Sequence, residues 1–302
     1  MIIGIDASRA FIEKRTGIEE YSYQIIRHLR NKLDSAQVVL YIRGEQESVI
    51  RKQGFILPKN WKVRIIRFPY LWTQLGLSLE LLFHPVDILF IPAHVVPAIH
   101  PKNTVVTIHG LEYEFFPEGY SFWARLYMRW SIKLSCRWAK KIIAVSKNTK
   151  KDLINMYKVP ESKIEVIYEG TDLVQTSKFK VQSFISKLKV EKPYLLFIGR
   201  LEKRKNIEGI LETYKILKEK YKIPHKLILA GKPGYGHENI MYKASCIKDK
   251  KDIIIPGFIK DEEKLELIKN ADVFLFPTLY EGFGLPILEA QVLGVPVVTS
   301  NI

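Results

Sequence analysis

The chain has 302 residues, of which 47% are hydrophobic, and its 47 basic and 32 acidic residues give a formal net charge of +15. Such a length and composition are those of a globular protein and favour two domains. The positive charge favours anionic partners such as nucleotide phosphates or acidic lipid headgroups. Nucleic acid is not expected as a partner, because the basic residues are spread along the chain without a zinc-finger or ribonucleoprotein signature.

The cysteines and the apolar segments indicate the compartment. Cys136 and Cys246 are too few and too far apart for a disulfide framework or a metal site. The first residues, IIGID after the initial methionine, indicate a strand instead of a signal peptide, and no apolar run is long enough to span a bilayer. A cytoplasmic location is therefore expected.

Short apolar segments alternate with amphipathic ones along the chain, which predicts βα units and parallel sheets. The predicted strands are residues 2–6, 37–42, 62–67, 88–91, 104–108 and 141–145, followed by 194–199, 226–230, 252–255, 272–276 and 297–299. The polar, lysine-rich residues 173–192 predict a linker. The expected fold is α/β, with two Rossmann-like domains at residues 1–172 and 193–302 that face a cleft.

Residues 122–141 mix aromatic and basic side chains at helical spacing, which is typical of helices that lie on a membrane interface. An alternative is an amphipathic helix that packs Trp123, Leu126, Trp130 and Leu134 on its own domain. We expect the packed helix, and peripheral contact with an anionic membrane surface stays open as the second interpretation.

Basic residues follow the predicted strand at 194–199, and ligands of open parallel sheets bind at such strand ends. Arg200 can form a bidentate fork with phosphate, and Lys205 can add a compact positive charge, so the two are candidates for holding a diphosphate. Lys203 and Arg204 are expected to be solvated loop charges.

The most informative motif is FLFPTLYEGFGLPILE at residues 274–289, where a strand gives way to a helix with proline in its first turn. Gly282 and Gly284 lie at the helix N-terminus, where backbone N–H groups and the helix dipole favour an anion. Glu281 and Glu289 would repel phosphate, but they can accept hydrogen bonds from hydroxyls. A nucleotide-sugar has both the phosphates for the helix N-terminus and the hydroxyls for the two glutamates. The alternative is a plain turn with two surface acids.

A glutamate, seven residues and a second glutamate, with Gly-Phe-Gly after the first, resemble the donor site of the retaining glycosyltransferases of family 4, which have the GT-B architecture. The resemblance implies that Glu281 faces the donor hexose and Glu289 the ribose. It adds Phe283 and Leu285 to the donor-binding turn and matches Arg200 and Lys205 to the phosphate motif of the family.

Three further positions resemble the family in their place at strand ends. His109, after the strand at 104–108, resembles the active-site histidine that orients the hexose, although Gly110 stands where many members carry aspartate. A lone histidine is otherwise more often structural. Gly17 and Gly231 resemble glycines that approach the donor, and Gly231 has the simpler alternative of permitting a turn.

The resemblance implies transfer of a mannose- or glucose-type hexose from a GDP- or UDP-sugar to a glycan or lipid-linked acceptor in cell-surface polysaccharide or lipopolysaccharide synthesis. It implies no metal and no separate cofactor. A nucleotide-sugar epimerase and a non-catalytic nucleotide-sugar-binding protein are the alternatives. Family members usually continue beyond the strand at 297–299, so we expect a C-terminally truncated chain with an incomplete second domain.

Overall fold

The protein is described by a computed structural model over residues 1–13, 15–171 and 192–301. It divides into two compact units, of which the first comprises Met1–Leu111 with Ser121–Glu169, and the second Glu112–Tyr120 with Gly170–Ile302. The predicted linker at 173–192 lies outside the described residues, apart from Lys192. The sequence pattern did not predict that Glu112–Tyr120 belongs to the second unit.

Within these ranges the strands run in chain order from β1 to β12. They are β1 (Ile2–Asp6), β2 (Gln37–Arg43), β3 (Trp61–Ile66), β4 (Ile88–Ile91), β5 (Asn103–Ile108), β6 (Lys141–Ala144), β7 (Ile164–Val166), β8 (Tyr194–Ile198), β9 (Lys226–Ala230), β10 (Ile253–Gly257), β11 (Val273–Phe276) and β12 (Val297–Thr299). The sequence predicted all of these but β7, which has only three residues and one buried side chain.

The α-helices of the described residues lie between these strands. They are α1 (Gly17–Leu29), α2 (Gln46–Lys52), α3 (Ser78–Phe83), α4 (Glu112–Phe115), α5 (Phe122–Trp138), α6 (Lys147–Tyr157), α7 (Ile207–Tyr221), α8 (His237–Ser245), α9 (Asp261–Asn270) and α10 (Leu285–Val292). A π-helical turn, Trp72–Leu77, leads directly into α3. None of these helices is long and apolar enough to cross a membrane.

The first unit is built on a parallel sheet in the order β3-β2-β1-β4-β5-β6-β7. Its core includes Ile5 of β1, Leu40 of β2 and Ile26 of α1, all fully buried. Helix α1 begins after Thr16, whose backbone N–H donates to the Glu19 carboxylate at 3.0 Å. This capping box provides acceptors for backbone N–H groups at the start of the helix. This fixes the loop that follows β1.

The second unit is built on a parallel sheet in the order β10-β9-β8-β11-β12. All five residues of β8 are buried, as expected for a central strand covered on both faces. The Tyr194 hydroxyl, inside this core, donates to the carbonyl of Leu267 at 2.7 Å. Because the strands are parallel, the loops after β8, β9 and β11 leave the sheet at one edge.

Helix α5 differs from the preferred prediction. Trp123, Leu126 and Trp130 are 75%, 47% and 53% exposed, and Leu134 is half-buried, so the prediction that these side chains pack on their own domain is wrong. The helix instead buries Ser131, Ile132, Ser135 and Cys136. The Ser135 hydroxyl accepts a hydrogen bond from the backbone N–H of Val96 at 2.8 Å, so α5 contacts the domain through Ile132 and the small side chains of its later turns.

Gly231, the first residue after β9, provides a test of the packing at the sheet edge. It has φ of 151°, and a Cβ added there would lie 1.7 Å from the carbonyl oxygen of Gly199. We expect Gly231→Ala to lower the free energy of unfolding of the second unit by at least about 2 kcal/mol in urea denaturation. Gly17→Ala is the control, because a Cβ there meets nothing within 4 Å. Equal stability of the two variants would contradict this account.

Candidate functional site

Three loops of the second unit are bonded together at the carboxyl edge of its sheet. The backbone N–H of Leu201, in the loop after β8, donates to the carbonyl of Lys232 in the loop after β9 at 2.9 Å. The backbone N–H of Leu279, after β11, donates to the carbonyl of Arg204, also at 2.9 Å. These bonds fix the loops relative to one another, so the side chains they carry form a defined site.

Lys205 and Glu281, both predicted site residues, meet at the centre of this edge. The Lys205 ammonium is buried and donates to Oε2 of Glu281. It also lies 5.0 Å from the centroid of the Phe276 ring, the last residue of β11. Burial lowers the pKa of Lys205, and the Glu281 carboxylate opposes that effect. The sheet edge therefore holds a positive charge in a fixed position, with the carboxylate as its counter-ion.

Arg204 also binds Glu281, and its predicted role is wrong. It was expected to be a solvated loop charge, but its side chain is only 18% exposed. Nη1 donates to the carbonyl of Tyr280 at 3.0 Å and to Oε2 of Glu281 at 3.2 Å. Nη2 donates to Glu202 at 2.7 Å. Arg204 thus fixes the backbone and the carboxylate of the segment that precedes the glycine turn.

The pKa of Arg204 reflects this environment. Burial acts to lower it, but the nearby carboxylates of Glu281 and Glu202 outweigh burial and raise it. The guanidinium therefore stays charged beside both carboxylates.

The local backbone explains why three consecutive bases have different roles. Lys203–Lys205 form a single 3₁₀ turn, in which successive side chains point about 120° apart. The Lys203 side chain is 54% exposed and pairs with Glu118 at 3.3 Å, which confirms its prediction as a solvated charge. Nothing in the sequence of the three bases distinguishes Arg204 from Lys203, since the separation arises from the turn.

The glycine turn after Glu281 has the predicted form. Gly282 and Gly284 are buried, and Gly284 has φ of 99° immediately before α10, whose first turn contains Pro286. Phe283 and Leu285 are half-buried on either side of Gly284. Only glycine adopts this backbone conformation without strain, and α10 begins directly after it.

Glu289 lies one turn into α10 and is held by a base that the sequence did not single out. Its side chain is 12% exposed, and Oε1 accepts from the Lys264 ammonium of α9 at 2.7 Å. The carboxylate keeps a second oxygen, so the ion pair fixes its orientation and leaves it able to accept from a hydroxyl.

Arg200 differs from the other bases of its loop. It is exposed, and in the part of the chain that the structure describes it makes no ion pair. Its Cγ and Cδ lie over Gly234, where an added Cβ would come within 2.8 Å of both atoms. Gly234 therefore lets the aliphatic part of Arg200 rest on the loop after β9 while the guanidinium is accessible to an anion.

The remaining two predicted residues, His109 and Gly17, belong to the first unit. His109 Nδ1 lies 3.0 Å from Oε1 of Glu169, and Nε2 lies 2.8 Å from the carbonyl oxygen of Pro92. A carbonyl oxygen only accepts, so Nε2 carries the hydrogen in that bond. Gly17 opens α1, with open space where a side chain would point.

Glu169 was missed as a partner of His109. Gly110 stands where many members of the family carry an acid, and the acid beside the histidine comes instead from Glu169, after β7 and 60 residues further on. Both side chains are less than 10% exposed. His94, whose ring is 5.2 Å from that of His109, has its pKa lowered well below the ordinary value by burial and by the His109 charge. Sequence spacing gives no signal for such a long-range pair.

Across residues 1–13, 15–171 and 192–301, no group of three or more His, Cys, Asp and Glu side chains is arranged to hold a metal ion.

Comparison with known proteins shows similarity along most of the chain. The model for Glycosyltransferase Family 4 matches residues 15–175, and the model for Glycosyl transferases group 1 matches residues 178–302. O-antigen chain mannosyltransferase B of Escherichia coli is 31% identical over 204 residues, which cover 67% of this chain and 54% of that protein. The chain therefore spans about half the length of this relative. O-antigen chain mannosyltransferase RfbU of Salmonella typhimurium is 24% identical over 298 residues, or 95% of this chain and 79% of that protein.

Solved structures share the fold. WaaG, a glycosyltransferase involved in lipopolysaccharide biosynthesis, has a TM-score of 0.69 at 16% identity and covers 100% of this chain and 81% of its own. HepE of Anabaena, in complex with UDP-glucose, has a TM-score of 0.69 at 18% identity, and the match covers 99% of this chain and 80% of that of HepE. This likeness confirms the predicted α/β fold with two parallel sheets.

The contrast between Arg204 and Lys203 is testable. Arg204→Ala would leave Glu202 and Glu281 without their shared base, so we expect the free energy of unfolding of the second unit to fall by about 2 kcal/mol. Lys203→Ala, which removes an exposed ion pair, should change it by less than about 0.5 kcal/mol. Urea denaturation of both variants measures the difference. Similar effects of the two substitutions would argue that Arg204 is no more than a surface charge.

Proposed function

Because this chain belongs to glycosyltransferase family 4, we propose that it transfers a hexose from a nucleotide diphosphate sugar to an acceptor hydroxyl, with retention of the anomeric configuration. The observation that carries the proposal is the cluster of Arg204, Lys205 and Glu281 at the sheet edge, directly before the glycine turn. This cluster combines fixed positive charge, a carboxylate and backbone N–H groups, which match the diphosphate and the hydroxyls of such a donor.

The diphosphate interacts with Lys205, Arg200 and the N-terminal end of α10. An ammonium has three donors, and Glu281 takes one of them, so Lys205 keeps two for phosphate oxygens. Arg200 adds an accessible guanidinium with the fork geometry that suits phosphate. The N-terminus of α10 adds N–H groups and the positive end of its dipole.

Transfer breaks the bond between the anomeric carbon and the diphosphate oxygen, and its electron pair leaves with the diphosphate. The acceptor oxygen bonds to the same carbon, and its proton passes to an oxygen of the departing diphosphate. Negative charge therefore grows on the leaving oxygen in the transition state, where Lys205 and the helix N-terminus are already in place to stabilise it. Attack on the same face as the departing group is what the family implies.

Glu281 and Glu289 hold the uncharged parts of the donor. Glu281 accepts from hydroxyls of the hexose, and Arg204 keeps its carboxylate oriented. Glu289 accepts from the ribose, and Lys264 has the same positioning role there. His109 contributes to hexose orientation. Since both of its ring nitrogens already have partners, its backbone carbonyl is the group best suited to that contact.

The donor and acceptor classes follow the relatives. HepE was solved with UDP-glucose, and two relatives are named O-antigen chain mannosyltransferases. We therefore propose a UDP- or GDP-hexose as donor, and a glycan or lipid-linked acceptor of cell-surface polysaccharide synthesis. The reaction requires no metal and no separate cofactor, and the protein works in the cytoplasm, peripherally on the inner face of the membrane.

Nucleotide binding tests the diphosphate site. In calorimetric titration with UDP, GDP and ADP, we expect one of them to bind, and Lys205→Ala to weaken it 10- to 100-fold, because charge-assisted hydrogen bonds to phosphate are lost. Lys203→Ala is the matched control and should bind as the unmodified chain does. Equal binding by both variants would remove Lys205 from the site.

A transfer assay tests the chemistry. Glu281→Gln should retain nucleotide binding within about threefold, since Glu281 faces the sugar, but should lower hexose transfer by at least about 100-fold. Glu262→Gln, an exposed acid of α9, is the control. Release of an epimerised donor without any acceptor would overturn the proposal in favour of an epimerase. Binding with neither transfer nor donor hydrolysis would overturn it in favour of a binding protein.

A further inference from the structure

Helix α5 presents a large apolar surface to solvent. Phe122 and Trp123 are 72% and 75% exposed, and Leu126, Tyr127 and Trp130 are 47%, 41% and 53% exposed. Isolated exposed apolar residues are ordinary, but five within nine positions of one helix form a contiguous patch, and such patches mark interaction surfaces.

The patch lies on the side of the helix that faces away from the domain. At about 100° per residue, Trp123, Tyr127 and Trp130 fall within about 60° of one another. Ser131, Ile132, Ser135 and Cys136, which are buried against the domain, centre roughly opposite them. Ile132, Cys136 and two serines are thus turned inward, while Trp123, Tyr127 and Trp130 are turned outward.

The charge of this helix has one sign. Phe122–Trp138 contains four basic residues, Arg125, Arg129, Lys133 and Arg137, and no acidic residue. Lys133 and Arg137 are exposed and continue the apolar side of the helix towards its C-terminus. Aromatic residues beside bases, on a helix too short and too charged to span a bilayer, are the pattern of helices that lie in the plane of a membrane interface.

A second exposed apolar stripe lies close to α5 in the first unit. Leu75, Leu79 and Leu82, at helical spacing on the π turn and α3, are 45%, 43% and 54% exposed. The Gln74 amide donates to the carbonyl of Val96 at 3.1 Å, and the N–H of Val96 donates to Ser135 of α5. The two helices are thus linked through one residue, and the apolar surface is not confined to α5.

We propose that the α5 face, defined as Trp123, Leu126, Tyr127, Trp130, Lys133 and Arg137, docks on an anionic lipid bilayer. The aromatic side chains enter the boundary between headgroups and acyl chains, and the two bases contact lipid phosphates. A second copy of the chain is a poorer occupant, because apposed α5 faces would bring together bases without any acid on either helix. This docking does not depend on the transfer chemistry.

Vesicle flotation of the 302-residue chain tests the proposal, with phosphatidylcholine vesicles that contain 30% phosphatidylglycerol or none. We expect the chain to partition onto the anionic vesicles and only weakly onto the neutral ones. The double variant Trp123→Ala with Trp130→Ala should lower partitioning at least about tenfold, because two aromatic side chains are lost. Lys133→Gln with Arg137→Gln should lower it about tenfold on anionic vesicles only.

Matched controls come from the second unit, where Tyr221 and Tyr242 are 61% and 69% exposed. Tyr221→Ala with Tyr242→Ala, and Lys215→Gln with Lys220→Gln, should partition as the unmodified chain does. Far-UV circular dichroism and transfer to a soluble acceptor check that every variant is folded.

Three outcomes would overturn the proposal. The first is unchanged partitioning of the tryptophan variant, and the second is equal binding to neutral and anionic vesicles. The third is self-association of the unmodified chain in sedimentation velocity that the tryptophan variant loses, which would make a second copy the occupant of the α5 face.

Discussion

Two positive charges, on Arg204 and Lys205, lie at the edge of the second sheet with little exposure to water, and the rest of the site is arranged around them. A buried charge is tolerated when a counter-ion and hydrogen bonds replace its hydration. Glu202 and Glu281 provide that replacement, so the four side chains form one network with no net charge. The same network fixes the backbone at Tyr280, from which the glycine turn begins.

This arrangement depends on the parallel sheet. Strands β8 and β11 are neighbours with Leu196 paired to Phe274, so residues that are more than 70 apart in sequence leave the sheet side by side. The loop after β8 provides both bases and Glu202, which pairs with Arg204, whereas the acid that pairs with Lys205 is Glu281 of the loop after β11. The buried charge of Lys205 therefore has its counter-ion only where the sheet brings the two loops together, which makes the site a consequence of the strand order.

Much of this was predictable from the sequence. Alternation of apolar and amphipathic segments predicted the strands, because burial on both faces of a parallel strand leaves a continuous apolar run. The motif at 274–289 predicted the turn, because glycine and proline each favour particular backbone dihedral angles. By contrast, the contact of Glu169 with His109 and that of Lys264 with Glu289 depend on positions far apart in sequence, and nothing in local pattern encodes them.

The roles of Arg204 and of α5 were not predictable, for a different reason. In each case the composition was read correctly, but the direction of a side chain was not. A 3₁₀ turn directs Arg204 inward, while a neighbouring lysine points to solvent. In α5, apolar periodicity is present, and periodicity alone identifies an apolar side without saying what covers it. The side that contacts the domain carries one isoleucine among serine and cysteine residues, and its hydrophobic signal is weaker than that of the tryptophans.

The α5 face has consequences for the proposed reaction. Exposed tryptophan is unfavourable in water by roughly 25 cal/mol for each Å² of apolar surface, so covering this face contributes free energy that favours docking. A bilayer provides that cover and also concentrates any lipid-linked acceptor in two dimensions. A weakly bound acceptor then meets the enzyme at an effective concentration far above its bulk value. Affinity for the membrane would therefore take the place of tight binding to the acceptor, whose glycosylated product must leave the site after each turnover.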